Sequence, residues 1–251
     1  MYQFFVDPGA ISEKQVVITG KDVNHIKNVL RMKVGEEIAV SNGVDGREYR
    51  CGILQMTEDA VICELRFIKE DGVELPSKIY LFQGLPKADK MELIIQKAVE
   101  LGAYEIIPVA TKRAVVKLDA KKEKSKLARW QAISEAAAKQ SKRAVIPQVH
   151  SVMSFVQALA YADMLDVRLI PYEMAEDMAK TRSLIEEIRP GQSIGIFIGP
   201  EGGFAPEEIE QAMAHATQPI TLGKRILRTE TAGMTVLSIL MYTLEGQELK
   251  A

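Results

Sequence analysis

Only two of the 251 residues are cysteine, Cys51 and Cys63, and neither has a Cys or His companion at ligand spacing. Two thiols so placed make neither a disulfide framework nor a metal site, so the expectation is two reduced core thiols and no bound metal. No apolar run approaches the roughly 20 residues needed to cross a bilayer. The first residues, MYQFFVDPG, carry neither the basic start nor the apolar stretch of a secretory signal. A cytoplasmic protein without membrane contact is therefore expected. Internal repeats and low-complexity tracts are missing, and the tripeptide pattern G-x-G occurs nowhere. The last absence removes the glycine-rich phosphate turn of a Rossmann-type nucleotide fold.

There is also little net charge, −2, but its distribution is uneven. Between Lys112 and Arg143 stand 11 basic residues against Asp119, Glu123 and Glu135. A solvated helix face would account for such a run. An acidic remainder joined to one strongly basic stretch points instead to a polyanionic partner such as nucleic acid.

An apolar share of 47% is enough for real cores. Up to about residue 70 the chain reads as short strands, with Asn42-Gly43 and Asp45-Gly46 as hairpin turns. Between the second and third strands, Val23, Ile26, Val29 and Leu30 recur at helical spacing behind a potential Asp22 cap. Five strands around one helix predict a small β-barrel over 1–72. A polar Gly- and Pro-punctuated segment follows, and 76–251 reads as the second domain. There strands alternate with helices, and Ser193 to Gly199 (SIGIFIG) is apolar on both faces, the mark of a buried parallel strand. Ile220 to Leu222 reads as another strand, and Thr231 to Leu244 as a long apolar helix. The fold class is α/β.

Ligands of α/β sheets sit at the carboxyl ends of strands. Two such ends stand out. Ile198-Gly199-Pro200-Glu201-Gly202-Gly203-Phe204 lets main chain approach a ligand closely, although a plain tight turn fits the same residues. Ala205, before the helix-opening Pro206, offers no side-chain cap. Leu222-Gly223-Lys224-Arg225-Ile226-Leu227-Arg228-Thr229-Glu230 leads into the last helix, where Thr229 could cap and Glu230 suits the positive helix end. Arg228, between apolar neighbours, reads as half-buried and in need of an anionic or carbonyl partner.

GPEGGF followed by LGKRILRTETA resembles the signature of the SPOUT methyltransferases, and most closely the ribosomal RNA small-subunit methyltransferase E family. The series His25-Ile26-Lys27-Asn28-Val29-Leu30-Arg31 with Gly35-Glu36, then Gln96 to Gly102, Pro108, Arg113, Gln140-Ser141-x-Arg143 and Pro147, is similar to the family's other motifs in the same order. Gln3 stands where the family often has arginine.

The resemblance implies a trefoil-knotted parallel sheet behind a PUA-like barrel, a homodimer, and small-subunit ribosomal RNA, within the assembled subunit, as partner. It implies S-adenosylmethionine as methyl donor, held by Ile198, Gly199, Pro200, Glu201, Gly202 and Gly203 on one loop. Leu222, Gly223, Ile226, Leu227, Arg228 and Thr229 would hold it from the other. The implied reaction is methylation of uracil N3, with Arg228 stabilising charge on the carbonyls and Glu230 either accepting the proton or orienting Arg228. His25, Arg31, Arg113 and Arg143 are expected to meet RNA, against structural roles for each. Another RNA atom as target, or a non-catalytic RNA-binding factor, stay open at this level.

Overall fold

A computed structural model describes residues 1–69 and 72–245 of the chain. They form two compact units, one of Met1–Glu74 with Ala138–Ile146 and one of Leu75–Ala137 with Pro147–Ala251.

In the first unit β1 (Gln3–Phe5), β2 (Gln15–Thr19), β3 (Glu37–Ser41), β4 (Glu48–Met56) and β5 (Ala60–Lys69) make one sheet in the order β1-β3-β4-β5-β2. It is a curled half-barrel with β1 and β2 at the ends of the strand order. Only β1 and β3 run parallel; the other ladders are antiparallel. Its core takes in Cys51 and Cys63, both free, and burial pushes their thiols up to about 11 and about 12. At those values they stay protonated and unreactive at neutral pH.

The helix expected from Asp22 starts one residue earlier. Gly20, at φ 70°, occupies the cap position of α1 (Lys21–Asn24), and Asp22 lies in the first turn. The helix then widens into a π-type turn over His25–Val29 and ends on Arg31 at φ 53°, a left-handed position unusual for a residue other than glycine.

The second unit is built on a parallel sheet of β6 (Lys78–Gly84), β7 (Ala103–Ala110), β8 (Gln148–Val149), β9 (Met153–Ser154), β10 (Val167–Pro171), β11 (Ser193–Ile198) and β12 (Gln218–Ile220). The order is β12-β10-β11-β6-β7-β8, with β9 also on β7. The helices are α2 (Lys90–Glu100), α3 (Ala120–Gln140), α4 (Phe155–Ala162), α5 (Met178–Glu186), α6 (Pro206–Ala214) and α7 (Thr229–Leu244). No helix among the described residues is long and apolar enough to cross a membrane.

Buried on both faces, β11 sits between β10 and β6 as its apolar run demands, and Phe82 stacks on Phe197 at 4.4 Å and 6°. The strand read at Ile220 to Leu222 lies two residues earlier. It includes Pro219, which a sheet tolerates here because β12 is an edge strand. From β6 the chain leaves toward β7, whereas from β11 it leaves the other way toward β12. The carboxyl ends of β6 and β11 therefore flank the point where the strand order switches, the usual place for a ligand crevice.

Candidate active site

Three segments meet at that switch point. After β6 comes Gly84, after β11 the turn Gly199 to Phe204, and before α7 the segment from Thr221 to Arg228. Thr229 was read as a cap, but Arg228 holds the cap position, its side chain making no capping bond, and Thr229 is the first helical residue. The buried Thr229 hydroxyl instead donates to the Gly199 carbonyl at 2.6 Å. It accepts at 2.9 Å from Gln83 Nε2, which also donates to the Gly84 carbonyl. This relay of hydrogen bonds ties the ends of β6, β11 and α7 together. Gln83 was not expected from sequence; the one signal was an amide in an otherwise apolar strand, IYLFQG. It is fully buried, and its Oε1 accepts no hydrogen bond from any described residue.

The glycines have steric reasons. A Cβ on Gly84 would stand 2.7 Å from Pro200 Cδ and 2.8 Å from Pro200 N. One on Gly199 would meet the Gly203 backbone at 3.2 Å. Gly203, at φ 65°, closes the turn by donating to the Pro200 carbonyl at 2.9 Å. Gly84→Ala is expected to push the Pro200 turn off the sheet and to destabilise the protein by about 1–3 kcal/mol, the usual cost of overpacking. Urea denaturation of variant and parent checks this; an unchanged midpoint would show that the turn is free to shift.

The start of α6 is better tied than Ala205 suggested. Glu208, buried, accepts from Ala205 N at 2.8 Å and from Lys112 N at 2.8 Å. Arg113 follows, exposed, with Nη1 donating to the Gly202 carbonyl at 3.0 Å.

The charged groups are arranged differently from expectation in two places. Arg228 is exposed rather than half-buried, and its guanidinium meets no partner among the described residues. Leu222, Gly223 and Leu227 around it are half-buried, and Ile226 is 89% exposed. Arg143 is the second correction. It is 4% exposed and turned inward, Nε lying 3.1 Å from Glu74 Oε2 with Nη2 on the same oxygen. That guanidinium serves the first unit and is not offered to a phosphate. Gln3, in place of the family arginine, donates to the Arg143 carbonyl at 2.8 Å.

Glu230, at the positive end of α7, is half-buried, and its Oε2 lies 3.4 Å from Lys90 Nζ. Lys90 also pairs with Glu201 Oε1 at 3.0 Å. Glu201 accepts from Lys87 N at 3.2 and 3.3 Å as well. Burial pushes the Glu201 carboxyl up, but the hydrogen bonds from Lys90 and from main-chain N–H groups outweigh it and leave the pKa lowered. Lys90 had no signal in the sequence, since a lysine in KADKME looks like any helix-start residue.

His25 and Arg31, in the first unit, are both exposed on the wide turn and its left-handed exit. On α3, Lys121, Lys122, Lys124 and Arg129 are exposed; Arg129 bonds Glu92 at 2.7 Å.

Comparison with known proteins adds the following. A family model for an RNA methyltransferase domain matches residues 73–241, and one for an RNA methyltransferase PUA domain matches 18–66. The chain is 40% identical over 231 residues to the ribosomal RNA small subunit methyltransferase E of Bacillus subtilis, covering 91% of this chain and 90% of that one. With the enzyme of the same name from Mesomycoplasma hyopneumoniae the identity is 37%, over 95% and 98%. The crystal structure of such an enzyme from Neisseria gonorrhoeae, bound to S-adenosyl methionine, superposes with a TM-score of 0.81 at 31% identity, over 96% and 97% of the chains.

Proposed function

Because the chain belongs to the ribosomal RNA small subunit methyltransferase E family, we propose that it transfers a methyl group from S-adenosylmethionine to N3 of a uridine in 16S ribosomal RNA. The observation that carries the reading is the Thr229 hydroxyl bonded to the Gly199 carbonyl, which brings both glycine-bearing turns to one place.

The residues at that place suit the donor. Gly203 and Gly223 leave main chain open to close approach, and half-buried Leu222 and Leu227 offer apolar surface. Ile198 to Gly203 would hold it from one side, with Leu222, Gly223 and Ile226 to Thr229 on the other, the two loops forming the proposed trefoil knot. When bound, S-adenosylmethionine supplies a methyl on a positively charged sulfur that departs as a neutral thioether. The protein has three tasks. It places N3 in line, which is worth as much as about 7–11 kcal/mol in favourable cases. Arg228, exposed and without a partner among the described residues, donates to the uracil carbonyls as their negative charge grows. Glu230 takes the N3 proton, so that the N3–H electron pair becomes the new N–CH3 bond.

RNA is met by Arg113 beside the Gly202 turn, by the exposed lysines of α3, and by His25 and Arg31 on the first domain. We place the domains at 1–72 and 76–251, and the substrate within the assembled small subunit. Ile226, 89% exposed, and Tyr242, 86% exposed on α7, are the apolar surface we assign to a homodimer, in the cytoplasm.

The test is methylation in vitro of small ribosomal subunits lacking the mark, followed by nucleoside mass spectrometry. N3-methyluridine is the expected product. A methylated ribose or another methylated base would overturn the target assignment, and no transfer despite donor binding would overturn the enzymatic one.

A further inference from the structure

Lys90 is the first residue of α2, and its ammonium is shared by carboxylates from both glycine-bearing segments, Glu201 after β11 and Glu230 at the start of α7. The two contacts are unequal. Glu201 is within hydrogen-bond distance at 3.0 Å and is tied again by the Lys87 main chain. Glu230 Oε2 is 3.4 Å away and buried, and it accepts no hydrogen bond from any described residue. It therefore feels a positive charge without having a donor aligned on it.

We infer that Lys90 is a positioning residue: its ammonium, shared with Glu201, holds the Glu230 carboxyl in place at the start of α7. This deepens the reading of Glu230 as the base and rests on it. A base carried on the first turn of a helix must be held at a fixed angle to its substrate, and the Lys90 ammonium ties Glu230 to the turn after β11 through Glu201. Glu201 supplies the rest of the logic. Before transfer the three side chains carry one net negative charge. After Glu230 takes the proton they carry none, and Lys90 keeps Glu201 as its counter-ion, so no charge is stranded.

The experiment compares single-turnover and steady-state kinetics of the full chain as Lys90→Met, Lys90→Arg, Glu230→Gln and Lys90→Met/Glu230→Gln, with melting curves and S-adenosylmethionine calorimetry on each. Lys90→Met should lose about ten- to a hundredfold in kcat, the size of effect a misplaced catalytic group produces, with KM for the ribosomal subunit and donor affinity held. Lys90→Arg, which keeps the charge, should recover most of that loss. The double variant should be no slower than Glu230→Gln alone, since residues acting through one another are not additive. Independent, multiplying losses in the double variant would overturn the inference, as would a Lys90→Arg enzyme no better than Lys90→Met with the same melting curve. Full turnover by Glu230→Gln alone would instead sink the reading of Glu230 as the base.

Discussion

Glu230→Gln is expected to lower kcat by about a hundred- to ten-thousand-fold, the range removed with a general base, while donor binding is kept. The competing role for Glu230 is purely local, an acid at the positive end of α7. In that role its loss would cost about 0.3–1 kcal/mol of stability and nothing in rate. The two outcomes are far apart, and rapid-quench transfer assays beside melting curves separate them. The kinetic outcome is the one that follows if the Lys90 ammonium, 3.4 Å from Glu230 Oε2, positions a base rather than an inert helix-start acid. Arg228→Ala belongs to the same experiment. Loss of one donor to a developing oxyanion costs about a hundred- to a thousandfold. The solvent exposure of Arg228 means the fold should not notice. Full turnover in Arg228→Ala with unchanged donor affinity would remove it from the mechanism.

The largest stability effect is expected at Glu74→Ala, about 2–6 kcal/mol, from two backbone donors left without an acceptor at about 1–3 kcal/mol each. Arg143 is 4% exposed, and Glu74 is its carboxylate. The same carboxylate accepts from the main-chain N–H groups of Ala144 at 3.0 Å and Val145 at 3.2 Å. Removing it takes one carboxylate from Arg143 and leaves two backbone donors without their acceptor. Urea denaturation followed by circular dichroism measures the loss, and hydrogen exchange across 138–146 should show where it falls. A change below about 1 kcal/mol, the range of exposed pairs, would mean that water reaches Arg143 once Glu74 is gone.

What could be read in the sequence was whatever obeys a short-range rule. The run SIGIFI is apolar at every position, and only a strand covered on both faces uses such a pattern, so β11 was legible. Both glycine-bearing turns were legible too, because glycine at a strand end has few other uses. The misplaced residues depend on partners distant in sequence. Thr229 looks like a cap until the Gly199 carbonyl, thirty residues earlier, is seen to accept its hydrogen bond. Arg143 looks like part of a basic stretch until Glu74 is found against it, and Lys90 looks like surface until two acids converge on it. Arg228 failed in the opposite direction. Apolar neighbours suggested burial, but Ile226 beside it is itself 89% exposed, so the local pattern was not reporting a core.

The return of Ala138–Ile146 to the first compact unit bears on how this protein can be taken apart. A fragment stopped at residue 74 would lack the Ile146 N–H that donates to the Gly43 carbonyl and would leave the Glu74 carboxylate with no guanidinium. A fragment begun at residue 75 would carry Arg143 without its acid. Excision of either piece for isolated study calls for the nonapeptide to be grafted back onto the half-barrel, and circular permutants that open the chain between 74 and 75 are poor candidates for independent folding.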